Sequence, residues 1–332
     1  PASVVAAHPP AREVNGAGDT TARPARGSAP LHTPVTPGGT RALQPVLKRS
    51  TLNAAMTTED AGELFEYKGY RIPVPLINLT GGGVDTWDVI ARGHMQQYAK
   101  YAPIDRDAAV VEVGCGVGRD AIQLAEHLSE RGSYVGIDII RPSIEWCRAN
   151  IAARRPNFSF HHIDIESQLH NAAGTARVTD VRLPVRSKSA DRILLQSVFT
   201  HMFFGDIVHY LREFRRILKP GGKVVASFFL IDDEARRAID AGVGDPAFKL
   251  TFRFPRGRGC WINDEMYPEG AVAYSFEALD EMLADAGMAL DQPVHRGHWF
   301  GRMELPDGQD MAVLKRGRRR LLPKLPRVTI GW

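Results

Sequence analysis

The chain of 332 residues is 44% hydrophobic, which is enough to bury one full α/β core and leave material for appendages. Its formal net charge of +4 comes from the ends, because residues 1–55 hold six basic and two acidic residues and residues 315–327 hold seven basic and no acidic ones. The remainder holds 29 basic and 36 acidic residues, so its charge argues against a nucleic-acid-binding domain.

Cysteine usage and hydropathy limit the class of protein further. Cys115, Cys147 and Cys260 are too few and too scattered for a disulfide framework, and no CxxC pair indicates a zinc site. The sequence has no run of about 18 apolar residues and no signal-peptide pattern at its start. We therefore expect a cytoplasmic protein without a transmembrane segment.

Composition divides the chain into three predicted segments. Residues 1–55 are rich in Pro, Gly, Ala, Ser and Thr and lack periodicity, which predicts a disordered leader or a non-native extension ahead of Met56. Residues 56–314 are predicted to form the folded domain. Residues 315–332 form a basic tail, interpreted as a solvated terminus or as a weak peripheral contact with anionic lipid.

The hydrophobic pattern predicts alternating helices and strands. Apolar residues at helical spacing predict helices over 85–101, 121–128, 142–153, 206–218 and 275–286. Short apolar runs predict strands over 109–113, 134–137, 158–163, 191–196, 223–230, 288–294 and 311–314. Alternation of this kind is typical of an α/β fold, a Rossmann-like, doubly wound and mainly parallel seven-stranded sheet with helices on both faces.

A glycine loop, Gly114-Cys115-Gly116-Val117-Gly118, connects the first strand of this series to its helix. Glycines there let backbone amides approach a ligand closely. The G-x-G-x-G spacing differs from the G-x-G-x-x-G dinucleotide fingerprint, because Arg119 stands where the third glycine belongs, and no Gly-Lys-Ser/Thr follows to form a P-loop. NAD and nucleoside triphosphates are therefore disfavoured as ligands.

The sequence from Val111 to Gly118 resembles the first motif of class I S-adenosylmethionine (SAM)-dependent methyltransferases, and the resemblance extends over residues 85–232. It implies SAM as the cofactor. Asp138, at the end of the second strand, would bind the ribose hydroxyls, and Glu112 would orient the methionine end.

The same resemblance implies further contacts with the cofactor. Asp164, after the third strand, would contact the adenine amino group between Ile139 and Ile165, and Gln196 belongs to the fourth motif. The complete predicted cofactor set is Glu112, Gly114, Cys115, Gly116, Gly118, Asp138, Ile139, Asp164, Ile165 and Gln196.

Methyl transfer to a hydroxyl needs a base, and histidine suits neutral pH. His201, just past the fourth strand, is the first candidate, and His298 in the C-terminal region is the second; a packing or surface role is the alternative for each. His161 and His162 are interpreted as structural. No His/Asp/Glu set has metal-ligand spacing, so we expect a reaction independent of metal.

The acceptor is the least determined feature. Segment 231–272 mixes aromatic residues such as Phe252, Trp261 and Tyr267 with arginines, which suits a sugar or an anionic ligand, or a loop anchored by its aromatic residues. The leading interpretation, which also rests on a resemblance to a bacterial small-molecule and saccharide subgroup, is O-methylation of a glycan or other polyhydroxylated small molecule. The alternatives are an RNA methyltransferase and a non-catalytic SAM-binding regulatory protein. The oligomeric state is left open.

Overall fold

The computed structural model of the chain describes residues 62–244, 250–301, 305 and 308–317. All of them belong to the unit Leu43–Trp332. The predicted leader, 1–55, lies outside the described residues, as does the basic tail beyond residue 317. None of the helices in the described ranges is long and apolar enough to cross a membrane.

The strands and helices alternate as the sequence pattern predicts. In chain order the strands are β1 (Leu64–Tyr67), β2 (Tyr70–Pro73), β3 (Ala109–Val113), β4 (Ser133–Asp138), β5 (Phe158–His162), β6 (Ala190–Leu195), β7 (Leu218–Phe228), β8 (Leu230–Ile231), β9 (Phe254–Gly257), β10 (Cys260–Ile262), β11 (Val272–Ser275), β12 (Met288–Leu290) and β13 (Asp310–Arg316). The helices are α1 (Val74–Ile77), α2 (Trp87–Tyr101), α3 (Arg119–His127), α4 (Arg141–Cys147), α5 (Phe204–Ile217), α6 (Asp233–Asp240) and α7 (Phe276–Ala286). Short helical turns lie at Arg148–Ala152, Val178–Asp180, Phe199–His201 and Pro268–Gly270.

The main sheet has seven strands in the order β12-β13-β7-β6-β3-β4-β5. Strand β13 is antiparallel to both of its neighbours, and the other neighbouring pairs are parallel. The prediction of a mainly parallel seven-stranded α/β sheet is therefore confirmed. Strand β3, an interior strand of this sheet, sends Val111 and Val113 to the hydrophobic cluster that holds α5 and α7, and Val110 to the cluster that holds α2, α3 and α4. This alternation explains why the strand is apolar on both faces.

Two strand boundaries differ by four residues or more from those predicted. Strand β7 begins at Leu218 rather than Lys223, because its pairing with β6 starts at Leu218 and then skips the Pro-Gly-Gly turn before resuming at Lys223. Strand β12 ends at Leu290 rather than Val294, where its pairing with β13 stops. In both places a turn interrupts the apolar pattern, and periodicity alone does not locate it.

A second sheet, in the order β8-β11-β10-β9, occupies much of the segment interpreted as an acceptor-binding insertion. Phe252 in that segment is fully buried, and its ring centroid lies 5.4 Å from that of Phe229 and 5.6 Å from that of Trp299. Of the two interpretations given for the aromatic residues of this segment, Phe252 therefore agrees with the one in which its ring anchors the loop, and it does not face a ligand. Trp261 is half-buried beneath the guanidinium of Arg236, 5.4 Å from the ring centroid.

Asp310, at the start of β13, joins the small sheet to the main one. Its buried carboxylate accepts hydrogen bonds from the amides of Leu230 (2.8 Å) and Gly297 (2.9 Å) and from Trp299 Nε1 (2.9 Å). Burial raises the pKa of Asp310 to about 6, and the neighbouring Arg296 opposes the shift. These bonds fix the segment that carries His298 against the end of the sheet.

We expect Phe252→Ala to lower the free energy of unfolding by about 3–5 kcal/mol, the usual cost of removing a buried aromatic ring. Denaturant titration followed by tryptophan fluorescence measures this change. Met266, which is 76% exposed, provides the control, and Met266→Ala should change stability by less than about 0.5 kcal/mol. A Phe252→Ala protein as stable as the wild type would contradict the assignment of this ring to the core.

Candidate active site

The glycine loop leaves the carboxyl end of β3 in a conformation that only glycine adopts easily. Gly114 and Gly116 have φ angles of +80° and +52°. A Cβ at Gly114 would lie 2.3 Å from Val198 Cγ2, and a Cβ at Gly116 would lie 2.9 Å from Thr80 Cγ2. Both positions therefore require glycine for backbone conformation and for space. Between them, Cys115 is buried with its Sγ 3.7 Å from Gly116 O, which fits the expected role of a small space-filling residue.

Asp138 ends β4 and is bonded to the loop. Its Oδ2 accepts a hydrogen bond from the Gly116 amide at 2.7 Å, and its Oδ1 accepts one from the Ile140 amide at 2.8 Å. Burial raises the pKa of Asp138, and the bonds from these amides oppose the shift. Each carboxylate oxygen has a second lone pair, which leaves acceptor capacity for the ribose hydroxyls. The ribose contact stays a prediction, and holding the loop to β4 is a role that the sequence did not reveal.

A small pocket opens where β4 and β5 end. It is lined by Ile139, Arg141, His162, Asp164, Asn171 and Ala173. Asp164 accepts hydrogen bonds from Asn171 Nδ2 at 3.1 Å and from Thr175 Oγ1 at 2.9 Å, and these bonds lower its pKa. The structure thus brings Asp164 and Ile139 together, as the predicted adenine site requires.

The adenine site also differs from the prediction. Ile165 is 3% exposed and belongs to the hydrophobic core, so it is not available to stack on the ring from the other side. His162, interpreted as structural, lines the pocket, and its Nε2 donates to the carbonyl of Ile139 at 3.1 Å. His162 is the last residue of β5, so its position at a strand end is the signal in the sequence that places it beside the pocket.

Beneath the loop lies a buried polar network that the sequence did not predict. Asp120 contacts His94 Nδ1 through both carboxylate oxygens, at 2.9 and 3.0 Å, and accepts a hydrogen bond from Tyr98 Oη at 2.7 Å. Tyr98 Oη accepts in turn from Gln196 Nε2 at 3.1 Å. Burial raises the pKa of Asp120, but His94, Arg119 and the Tyr98 hydroxyl together outweigh this and hold the pKa below its ordinary value. Gln196 is therefore connected to α3 through this network.

Glu112 is the second buried acid of this region. It is 4% exposed, and the hydroxyl of Tyr134 donates to its Oε2. Burial raises the pKa of Glu112 to about 8, the negative charge of Asp120 adds to the shift, and the Tyr134 hydroxyl opposes it. Burial thus favours the protonated form of Glu112, and a cation placed nearby would favour its ionised form.

His201 lies in the helical turn Phe199–His201 that follows β6. Its Nδ1 is 2.8 Å from the backbone carbonyl of Glu269, and the ring of His170 stands nearly perpendicular to its own, with centroids 5.9 Å apart. A carbonyl oxygen only accepts hydrogen bonds, so Nδ1 carries the proton and Nε2 is the basic nitrogen of the neutral ring. This is the tautomer that a general base needs if its Nε2 is to accept the proton.

His298 lies on a different segment, between β12 and β13. It precedes the buried Trp299, and its backbone carbonyl accepts a hydrogen bond from the Gly301 amide at 2.9 Å. Later in the same segment, Gln309 Nε2 donates to Ser197 Oγ at 2.7 Å, which brings the segment to the end of β6. Over the described ranges, no group of three or more His, Cys, Asp or Glu side chains is arranged to hold a metal ion.

Known proteins resemble the part of the chain that holds this site. Residues 104–244 match the family model of a methyltransferase domain. A 37.1 kDa protein of transposon TN4556 from Streptomyces fradiae is 29% identical over 55% of this chain and 44% of its own length. The ribosomal protein L11 methyltransferase of Caulobacter sp. (strain K31) is 26% identical over 59% of this chain and 63% of its own length. The matches therefore span less than two thirds of either relative.

Among solved structures, a SAM-dependent methyltransferase from Leishmania major is 13% identical, with a TM-score of 0.46, covering 73% of this chain and 78% of that one. The family match shows that residues 104–244 are similar to a methyltransferase domain, and the seven-stranded sheet and the glycine loop agree with that likeness. The same match supports S-adenosylmethionine as the cofactor. The donor set fits this molecule, because the glycine loop and the carboxylates of Asp138 and Asp164 at strand ends would face its adenosine, and the buried acids below the loop would lie towards its cationic end.

We expect Gly114→Ala to weaken SAM binding by more than about tenfold, because its methyl group would displace Val198 and the loop with it. Isothermal titration calorimetry measures the affinity. Gly221 is a matched control, since its φ of +79° imposes the same backbone strain and a Cβ there meets nothing within 4 Å. Gly221→Ala should lower stability slightly and leave SAM affinity unchanged. If both variants lost the same SAM affinity, backbone strain, and not the contact of the loop with Val198, would be the cause of the weaker binding.

A second expectation concerns pH. Because the pKa of Glu112 is about 8 in the folded protein and its ordinary value is 4.5, the folded state holds a proton over this interval that the unfolded state has released. The Glu112 contribution to stability therefore declines as pH rises from 4.5 to 8, with a slope of up to about 1.4 kcal/mol per pH unit. Urea unfolding of the wild type and Glu112→Gln at several pH values measures the difference. The variant should show a flatter dependence, and parallel curves would contradict a proton on Glu112.

Proposed function

We propose that this protein transfers the methyl group of SAM to a hydroxyl of a saccharide or another polyhydroxylated small molecule, with His201 as the general base. The observation that carries the proposal is the bond from His201 Nδ1 to the Glu269 carbonyl, 2.8 Å long, which leaves Nε2 as the basic nitrogen. His201 follows β6 at the edge of the sheet where the glycine loop also lies. Ligands of open α/β sheets bind at this edge.

The chain's own residues would perform few chemical steps. SAM, when bound, supplies an electrophilic methyl group, so alignment of the acceptor oxygen provides much of the rate. His201 Nε2 would accept the proton of the acceptor hydroxyl as that oxygen takes the methyl group and the bond between the methyl carbon and the sulfur breaks, leaving the sulfur as a neutral thioether. The Glu269 carbonyl continues to accept from Nδ1–H and stabilises the imidazolium that results. The buried acids Glu112 and Asp120 would hold the positively charged methionine end.

Polar and aromatic groups near His201 support a polyhydroxylated acceptor. Ser197 and Gln309 supply a hydroxyl and an amide at the end of β6. Tyr267 is half-buried and directly precedes the turn that carries Glu269, and an aromatic ring suits the apolar face of a sugar. The acidic balance of residues 56–314 disfavours RNA as the acceptor.

A protein acceptor is the competing class. One relative is named for methylating ribosomal protein L11, and the match to it covers 59% of this chain. A panel of saccharides, phenols and the L11 protein, each incubated with SAM and analysed by mass spectrometry, distinguishes the classes. A mass gain of one methylene on saccharides supports the proposal. A mass gain on L11 alone would show a protein acceptor in place of the proposed hydroxyl acceptor. Tight SAM binding without any methylated product would favour the non-catalytic regulatory protein.

For the base, we expect His201→Ala to lower single-turnover methyl transfer by about 10²–10⁴-fold while SAM affinity stays nearly constant. His298→Ala is the matched control and should change the rate by less than about threefold. Rapid-quench kinetics with the acceptor identified above gives both rates. If only His298→Ala lowers the methyl-transfer rate strongly, the base is His298 in the C-terminal segment. If neither variant lowers the rate by more than about threefold, the reaction does not use general-base catalysis by these histidines.

A further inference from the structure

We propose that Glu269 is a positioning residue that connects the adenine pocket to His201, so that binding of the cofactor adjusts the catalytic base. The inference rests on the proposed function, in that it takes His201 as the base. It assigns a task to the second sheet, whose turn Pro268–Gly270 carries Glu269. It also gives a reason for the loop that follows β5, because that loop contacts both the pocket and the turn.

Glu269 is bonded on two sides by different parts of the molecule. Its carboxylate Oε2 accepts a hydrogen bond from Ser167 Oγ at 2.9 Å, and its backbone carbonyl accepts one from His201 Nδ1 at 2.8 Å. Ser167 lies in the loop after β5, and His201 lies after β6. One residue therefore joins two strand ends that are far apart in sequence.

The loop after β5 is held as a unit around the pocket. Asn171 Nδ2 donates to Asp164 Oδ1 (3.1 Å) and to the carbonyl of Ile165 (2.9 Å), so it fixes the acid expected to meet the adenine amino group. The backbones of Asn171 and Ser167 exchange two hydrogen bonds of 3.0 Å each. A change at Asp164 or Asn171 is thus passed directly to Ser167, which donates to Glu269.

The same loop reaches His201 by a second contact. His170, which lies between Ser167 and Asn171, presents its ring edge-on to that of His201, with centroids 5.9 Å apart. Occupation of the pocket would therefore act on His201 through the Ser167–Glu269 bond and through the His170 ring. Because the pocket is lined by Asp164 and Asn171, the adenine end of the cofactor is the part that produces this effect.

The charged groups around Glu269 make the pKa of His201 depend on where the Glu269 turn lies. Asp206, at the start of α5, has a pKa raised by burial and by the negative charge of Glu269, and His209 on the same helix opposes the shift. The imidazolium of His201 would form close to Glu269 and beside His170, and Asp206 acts on it through its interaction with Glu269. A displacement of the Glu269 turn would change both the hydrogen bond at Nδ1 and the charge near the ring, and each change alters the pKa of His201.

The test uses the full chain with ¹⁵N-labelled histidine. The pKa of His201 is measured by NMR with and without S-adenosylhomocysteine, in the wild type and in Ser167→Ala. We expect a shift of the His201 titration on binding in the wild type and loss of most of that shift in Ser167→Ala. Ser187→Ala is the control, since Ser187 is exposed and contacts Arg216 at 3.3 Å, away from the pocket. An equal shift in wild type and Ser167→Ala, or no shift in either, overturns the proposal.

Kinetics provide an independent readout. Glu269→Ala should lower kcat by about tenfold, the scale of one hydrogen bond, and move the pH profile of turnover while the KM for SAM changes little. Glu269→Gln retains an acceptor for Ser167 and should restore most of kcat. A positioning role is contradicted if Glu269→Ala raises only the KM for SAM, or if Glu269→Gln fails to restore kcat. The base assignment is tested separately: if His201→Ala turns over normally while Ser167→Ala still abolishes the NMR shift, the connection stands and the proposed base is wrong.

Discussion

The site depends on one buried carboxylate that ties two strand ends together. Asp138 accepts hydrogen bonds from the amides of Gly116 and Ile140, so the loop after β3 and the turn after β4 are fixed relative to each other. Burying this carboxyl is unfavourable by itself, as its raised pKa shows, and the two amides compensate for the lost water. Because neighbouring parallel strands end at one edge of the sheet, fixing these turns also fixes the pocket of Asp164 beyond them.

Features that depend on local sequence could be predicted closely. Strand β3 coincides with the predicted 109–113, because a valine run buried on both faces and a following glycine loop are unambiguous signals. Asp138 and Asp164 were located correctly at strand ends for the same reason. Helix α7 also agrees with the prediction, since Ser275 caps it by accepting a hydrogen bond from the Ala278 amide.

Features that depend on packing between distant elements could not be predicted. His94 and Tyr98 stand four residues apart on α2, and only the approach of α3 turns them into partners of the buried Asp120. Phe252 and Ile165 carry the same apolar pattern whether they meet a ligand or the core, and tertiary contacts decide between the two. The strands of the second sheet have two to four residues each, too few for a period to be recognised.

The tautomer of His201 shows why the residues of such a site can be predicted from the sequence only in part. The group that selects this tautomer is the backbone carbonyl of Glu269. Every residue has a backbone carbonyl, so no residue type in the sequence indicates the interaction. What the sequence does specify is the side chain of Glu269, and Ser167 fixes that side chain from the loop that surrounds the adenine pocket. If His201 is the base, as we propose, the second sheet does more than border the acceptor, because the turn between two of its strands supplies the carbonyl oxygen that accepts from His201 Nδ1. On this view the cofactor pocket and the base form one hydrogen-bonded assembly, in which the acceptor-side sheet is the connecting part.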